Sequence, residues 1–295
     1  MVSKPKLSLI ICSRNRASKL QRCLDSISAE EMLQAKGEVI LVNNGSTDNT
    51  EKVMLAHQKT ALFPVSVVNE PQKGLSRARN AGITVAQGKV LAFTDDDCCL
   101  TEEYLIKASI VFDTEEFDYC GGQICENGKK ESNGCSSSNA ITLIKPHQFI
   151  WAGTIQGSNM LFTRKVVEKV GLFDTLLGAG TAFPCEDIDY VARACWQGFR
   201  GATVPELIVY HLHGRAQGGS SERKTHRGYD FGRGAYYMKF ILAGKRSYFS
   251  NWMKTATFNR WKAFLREVVA ALLYYLMRVK ICVITFGRSA GAPPQ

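Results

Sequence analysis

The feature that most constrains this chain is an alternation in its first hundred residues, where short apolar runs repeatedly give way to helical segments. Leu7–Ser13 (LSLIICS) is almost continuously apolar, the mark of a strand covered on both faces. Leu20, Cys23, Leu24 and Ile27 then recur at helical spacing. Glu38–Gly45 (EVILVNNG) reads as a second strand, and Ser46–Gln58, which opens on capping residues, as a helix. Val65–Glu70 is a third strand, Leu75–Ala86 a helix and Lys89–Thr94 (KVLAFT) a fourth strand. This order predicts a Rossmann-like α/β fold: a mostly parallel, doubly wound sheet with helices on both faces. Ligands of such sheets sit beyond the carboxyl ends of the strands.

Those ends are unusually polar. The first strand leads into Ser13-Arg14-Asn15-Arg16 and the second into Asn43-Asn44-Gly45-Ser46-Thr47-Asp48. The third leads into Asn69-Glu70 and then Lys73-Gly74-Leu75-Ser76-Arg77-Ala78-Arg79-Asn80; the fourth ends in Asp95-Asp96-Asp97. One sheet edge therefore collects amides, guanidiniums and carboxylates. Neither GxGxxG nor GxxxxGK[ST] occurs, which argues against a dinucleotide enzyme or a P-loop ATPase.

Three consecutive carboxylates repel one another, by roughly 1 kcal/mol per close pair in water and more near a protein surface. A counter-ion relieves this. On an extended segment Asp95 and Asp97 point the same way and can converge on one cation, and oxygen ligands suit Mg2+ or Mn2+. The alternative is a solvated acidic turn. Lys73, Arg77 and Arg79 can neutralise a diphosphate beside that cation, or simply form a basic helix face. Asn43 and Asn44 stand where a base or ribose is read by hydrogen bonds, or form a plain Asn-Gly turn.

Further along, Gly157–Arg164 (GSNMLFTR) restores order after a polar stretch (ENGKKESNGCSSSN) that reads as an exposed loop. A helix at Lys165–Val170 and a Gly-rich loop at Leu177–Thr181 follow. A helix then begins Cys185-Glu186-Asp187-Ile188-Asp189, its acids favoured by the helix dipole. Glu186 or Asp187 can act as a general base; spacing alone is satisfied by helix capping. A last strand, Ala202–Leu212, ends in His211-Leu212-His213, and either histidine can complete a metal shell, His211 being favoured.

Charge divides the chain. Residues 1–213 have a net charge of −2 and residues 214–295 a net charge of +12, giving +10 overall. We therefore expect a catalytic domain over 1–213 and a basic lid and helical appendage over 214–295. The Gly-rich run 214–219 is a candidate lid. Residues 263–286 are strongly apolar, but their longest uninterrupted run is short and Arg278 and Lys280 interrupt them. A helix lying in the plane of a membrane, or packed on protein, suits this pattern better than a span. No nucleic-acid module is recognisable. Ten scattered cysteines without metal-ligand spacing, and no secretory signal ahead of the first strand, fit a reducing, cytoplasmic setting.

Taken together, LSLIICSRNR, VNNGSTDNT, GLSRARNAG, AFTDDDC, GSNMLFTR, GLFD, EDIDYVAR and VYHLHG resemble, in order and over about residues 6–213, the family 2 inverting glycosyltransferases of GT-A fold. The resemblance implies that Ser13, Asn15, Asn43 and Asn44 line a nucleotide pocket. It implies that Lys73, Arg77, Arg79 and Asp96 face the donor, a UDP-, GDP- or dTDP-sugar. It further implies a DxD metal site at Asp95 and Asp97 for Mn2+ or Mg2+, with His211 as a further ligand. Asp187 is then the base and Glu186 its support. Two departures stand out. Many relatives have an acid where Asn43 or Asn44 stands, and the QxxRW of processive members is broken, since Thr257 precedes Arg260-Trp261. Single-sugar transfer to a carbohydrate or lipid-linked acceptor, at the cytoplasmic face of a membrane, is the resulting expectation. The rivals are a sugar-phosphate nucleotidyltransferase, for which SRNRASK lacks the glycines, and a non-catalytic sugar-nucleotide-binding or membrane-scaffold protein.

Overall fold

A computed structural model describes residues 4–126, 140–212 and 220–289, with side chains placed for 4–125, 140–212 and 225–280. His213, the 214–219 run and most of the polar stretch after Glu126 lie outside the described residues. By internal contacts the chain divides into two units, Met1–Thr175 with Glu186–Gly214, and Leu176–Cys185 with Arg215–Gln295.

The first unit alternates as its apolar runs dictate. It comprises β1 (Leu7–Ser13), α1 (Ala17–Asp25), α2 (Ala29–Gln34), β2 (Gly37–Asn43), α3 (Thr50–Thr60), β3 (Val65–Asn69), α4 (Leu75–Val85) and β4 (Val90–Asp95). It continues with β5 (Cys98–Leu100), α5 (Tyr104–Ile110), β6 (Tyr119–Glu126), β7 (Thr142–Ile144), β8 (Asn159–Thr163), α6 (Arg164–Val170), α7 (Glu186–Trp196) and β9 (Gly201–His211). Among the described residues these strands form one sheet in the order β3-β2-β1-β4-β8-β6-β9-β5, with β7 pairing β9.

The expected parallel arrangement holds for β3, β2, β1 and β4, and again for β6 beside β9. Beyond β4 the sheet becomes mixed, because β8 runs antiparallel to both β4 and β6, and β5 and β7 run antiparallel to β9. β1 is buried on both faces. Leu7, Leu9 and Ile11 enter a core shared with Leu20 and Leu24 of α1, Met54 of α3 and Tyr104 of α5. Ile10 faces the other way, onto Gly82 of α4, where an added Cβ would come within 2.6 Å of Ile10 Cγ2. Burying an aliphatic side chain in this way stabilises by about 1.5–3 kcal/mol. β5, β6 and β7 arise where the sequence showed no strand pattern.

The second unit contains α8 (Ser220–Leu242), α9 (Arg246–Lys254) and α10 (Trp261–Ser289). Its core is aromatic: Tyr237 stacks on Trp252 at 5.4 Å and Phe240 on Tyr248 at 4.5 Å. Glu267 is fully buried and accepts hydrogen bonds from Arg233 Nε (2.8 Å), Arg260 (3.0 Å) and Trp252 Nε1 (2.8 Å). Asp230, also buried, pairs with Arg233 and Arg266. Both acids thus neutralise internal arginines, and the accessible surface of the unit keeps its basic character. On α10, Leu265, Val269, Leu272, Leu276 and Val279 follow a 4-3 spacing and are all exposed. Among the described residues no helix is long and apolar enough to cross a membrane.

Among the described residues seven cysteines are free, among them Cys12, Cys23 and Cys98. Cys125 is disulfide-bonded. Burial pushes the Cys12 thiol up to about 12, so it is neutral and unreactive at physiological pH.

Candidate functional site

The carboxyl ends of β1 and β2 are knitted together by their own polar residues. Asn15 is in the left-handed region (φ 54°), a conformation asparagine tolerates better than most residues. Its Oδ1 accepts from Thr47 N at 2.7 Å, and its own N–H donates to Ser46 Oγ at 3.1 Å. Asp48 accepts from the N–H groups of Thr50 and of Ala17, the first residue of α1. The two loops therefore move as one.

Asn43 and Asn44 stand where a base or ribose is read or where a plain Asn-Gly turn forms, and their side chains are engaged by the chain itself. Asn44 Nδ2 donates to Glu70 O (3.1 Å) and Gln72 O (2.8 Å), and its Oδ1 accepts from Gly74 N (2.9 Å). Both amide hydrogens and the carbonyl are committed to the loop between β3 and α4. Asn43 donates to Asn69 Oδ1 and accepts from Ser46 N. Both side chains are buried. These bonds tie the end of β2 to β3 and to the loop that follows it.

The acidic run also departs from expectation. β4 ends at Asp95, and Asp96-Asp97 form a turn into β5. The extended geometry assumed for Asp95 and Asp97 is absent, and the two carboxylates have different surroundings. Asp95 lies 3.6 Å from the Arg79 guanidinium and is partly exposed. Asp96 is buried and accepts from Ser13 Oγ at 2.5 Å and from Arg16 at 2.9 Å. Burial raises its carboxyl above the usual range, opposed by Arg16. Asp97 is buried too, and it meets Arg16 (3.1 Å), Lys19 (3.0 Å) and His211 Nε2 (2.9 Å). These partners hold its carboxyl well below the usual carboxylate range in spite of burial, with His211 the largest favourable contribution.

His211 reaches Asp97 because β9 pairs with β5 so that His211 stands opposite Cys98, and Leu212 N donates to Asp97 O at 2.8 Å. Ligand atoms of Asp97, Cys98 and His211 all lie within 4.8 Å of one another. Burial raises the Cys98 thiol, which stays protonated and is a poor ligand. The carboxylate and imidazole form a donor pair suited to Mn2+ or a similar ion. Asp95 stands outside this group.

Across the site, α7 opens on Glu186 and Asp187. Arg79 of α4, almost wholly buried, donates to Glu186 Oε1 (2.7 Å) and to Gly157 O (3.1 Å), with Asp95 Oδ1 at 3.6 Å. Arg79 thus links the end of β4 to the start of α7. Burial pushes Glu186 up to about 7, against the pull of Arg79. Asp187 is half-buried; its Oδ2 accepts from Gly157 N at 2.9 Å and its Oδ1 from Ile188 N at 2.8 Å. Lys73 is exposed ahead of α4 and Arg77 half-exposed in its first turn, where both remain accessible to a ligand.

Two residues at the centre of this arrangement were not singled out in the sequence, Arg16 and Lys19. Their pairing with acids some eighty positions away is purely tertiary. The signal within reach was the pattern itself: two cations after β1, facing a sheet edge that ends in three acids.

The family model for glycosyl transferase family 2 matches residues 8–171. Among curated relatives, glycosyltransferase AglE of Haloferax volcanii is 28% identical over 210 residues, covering 70% of this chain and 67% of its own. An uncharacterized glycosyltransferase of Nostoc, alr2836, is 32% identical over 222 residues, covering 71% and 65%. The match thus spans about two thirds of these relatives. Among solved structures, the mannosyltransferase PcManGT from Pyrobaculum calidifontis, in complex with GDP-Man and Mn2+, superposes with a TM-score of 0.64 at 18% identity, covering 99% of this chain and 82% of that one. S. aureus TarS 1–349 in complex with UDP-GlcNAc gives 0.61 at 14% identity, covering 89% and 79%. The structural likenesses speak for the fold, and the family match, which takes in more than half the residues, for descent. The chain belongs to glycosyl transferase family 2 and carries its GT-A fold.

Proposed function

We propose that this protein transfers a single sugar from a nucleotide-diphosphate sugar to an acceptor hydroxyl, with inversion at the anomeric carbon. The observation that carries the reading is the Arg79 strut. By touching Asp95, Gly157 and Glu186 at once, it ties the end of β4 to the head of α7. This supports a reading in which a cation-binding pair and a candidate base serve one donor, as a displacement at a sugar carbon requires.

In this reading Asp97 and His211 hold the divalent cation, Mn2+ or Mg2+, with Asp95 nearby. Bound there, the ion supplies positive charge to the departing diphosphate. Lys73 and Arg77 sit where they can add to that charge. Asp187 Oδ2, aimed by Gly157 N, takes the acceptor proton as the acceptor oxygen bonds to the anomeric carbon. The bond from that carbon to the diphosphate oxygen breaks, and the nucleoside diphosphate leaves. Glu186 is a positioning residue, since its carboxylate is engaged by Arg79. The mannosyl and N-acetylglucosaminyl donors of the two structural neighbours place GDP and UDP sugars first among those to test. The acceptor we propose is a glycolipid or surface-polysaccharide precursor, reached through peripheral contact of residues 214–295 with the cytoplasmic face of a membrane.

The test is a panel of UDP-, GDP- and dTDP-sugars with Mn2+ or Mg2+, read first as thermal shift and then as donor hydrolysis or transfer. At least one donor is expected to stabilise the protein in a cation-dependent way. Asp187→Asn is expected to keep that stabilisation while turnover falls on the order of a hundredfold or more. Turnover near wild type in Asp187→Asn removes the base assignment.

A further inference from the structure

Asp96 and Asp97 are both nearly inaccessible, yet both face cations supplied by α1 and the residue before it. Arg16 places one guanidinium nitrogen 2.9 Å from Asp96 and 3.1 Å from Asp97, and Lys19 Nζ lies 3.0 Å from Asp97. Two buried carboxylates thus face two side-chain cations, with the His211 imidazole as a further partner. Arg16 is the less anchored member of this cluster. Its side chain is 42% exposed, against 5% and 4% for the aspartates it bridges. Its main chain, by contrast, is fixed: Arg16 N donates to Thr50 Oγ1, and its carbonyl accepts from Lys19 N and Leu20 N. A fixed stem with an exposed, charged head can turn without disturbing the fold.

We propose, on the glycosyltransferase reading above, that Arg16 is an internal counter-ion which makes divalent-cation binding conditional on the nucleotide diphosphate. With Arg16 on Asp96 and Asp97, the acidic turn is already close to charge balance. A divalent ion arriving alone must displace or crowd a guanidinium, so it binds weakly. A diphosphate arriving with the ion brings the negative charge on which the guanidinium re-seats, a geometry that Arg matches with two parallel hydrogen bonds. Cation and diphosphate then strengthen each other's binding, and by linkage the coupling is equal in both directions. The arrangement keeps the cation site empty until donor is present, and it lets the ion go when the diphosphate leaves.

Calorimetric titration of Mn2+ into the whole chain, without nucleotide and with saturating UDP, GDP or dTDP, reads this directly. Wild type is expected to bind Mn2+ about tenfold more tightly with its preferred diphosphate than without. Arg16→Ala is expected to bind Mn2+ alone more tightly than wild type, to bind the diphosphate more weakly, and to lose most of the coupling. Arg16→Lys is expected to keep part of it. Should Arg16→Ala melt too low for titration, Arg16→Gln, which keeps an unbranched polar side chain without the charge, gives the same comparison. A purely structural Arg16 predicts another pattern: Mn2+ and nucleotide affinities fall together and their ratio is unchanged. That result, or unaltered coupling in every variant, overturns the proposal. Failure of wild type to bind any of the three nucleotides with any cation contradicts the glycosyltransferase reading itself, whereas normal nucleotide binding with unchanged coupling contradicts only the role of Arg16.

Discussion

Asp97 and Glu186 show how similar carboxylates take opposite characters from their neighbours. Both are buried, but Asp97 meets a histidine, an arginine and a lysine, while Glu186 meets one arginine and stands beside another acid. For Glu186 the consequence is a pH dependence of stability. Its carboxyl is raised from an ordinary 4.5 to about 7, so between those values the folded chain binds more protons than the unfolded one. The contribution of Glu186 is therefore fully present below about pH 4.5 and is lost as pH rises through about 7. Thermal melts from pH 5 to 8 are expected to show this decline, and Glu186→Gln, which cannot titrate, to flatten it. Equal slopes in both proteins contradict the assignment. At Asp97 the expected effect is on ligand binding: Asp97→Ala and His211→Ala each abolish cation-dependent nucleotide binding, measured by calorimetry. The sequence made Asp95, Asp97, Glu186, Asp187 and His211 visible because acids and histidines at strand ends are chemically conspicuous. It left Asn43 and Asn44 open between ligand and turn because an amide at a strand end serves either equally well, and the bonds of Asn44 to Glu70, Gln72 and Gly74 are tertiary.

Among the secondary-structure elements, the legible ones were those with a continuous apolar run or a helical pattern, namely β1 to β4, α1, α3, α4, α6, α7 and β9. The ones missed carry little pattern of their own. β5 and β7 are three residues each, α2 is six, and β6 contains Gly121-Gly122. Those glycines mark a close approach. An added Cβ at Gly122 would lie 2.1 Å from Leu207 O and 2.3 Å from Asn159 Nδ2, where the β6–β9 register shifts. Asn159 Nδ2 donates to that same Leu207 carbonyl, and its Oδ1 accepts from Tyr104 OH. Gly122→Ala is expected to force this junction apart, cost about 1–3 kcal/mol and lower the melting temperature by several degrees. Unchanged denaturant and thermal midpoints contradict the packing described. The junction sits on β9, which carries His211, so the same variant is expected to weaken cation binding as well.

At the scale of the whole molecule, charge and apolar exposure fall together on the C-terminal unit. Its described acids are internal, its surface is basic, and the outward stripe of α10 exposes leucine and valine. We expect the chain to float with vesicles containing anionic lipid and to remain behind with neutral ones. Replacing Leu265, Leu272 and Leu276 together by glutamine, or deleting residues 263–295, is expected to abolish flotation. Flotation that survives both changes contradicts membrane contact through α10. The charge asymmetry was plain in the sequence, and so was the apolar segment. What the sequence withheld was which face of the helix packs inward, a matter settled by Glu267, Ala270, Ala271 and Tyr274 in the fold.

The catalytic expectations depend on where a divalent ion sits. Crystals grown with Mn2+ and the nucleoside diphosphate that stabilises the protein most, examined by anomalous scattering at the manganese edge, give the answer. The account predicts one strong peak within coordination distance of Asp97 and His211 Nε2, with the diphosphate bridging it toward the cleft below Asp187. A fully loaded site with the peak elsewhere, or with the diphosphate bound on a face remote from Asp187, contradicts it.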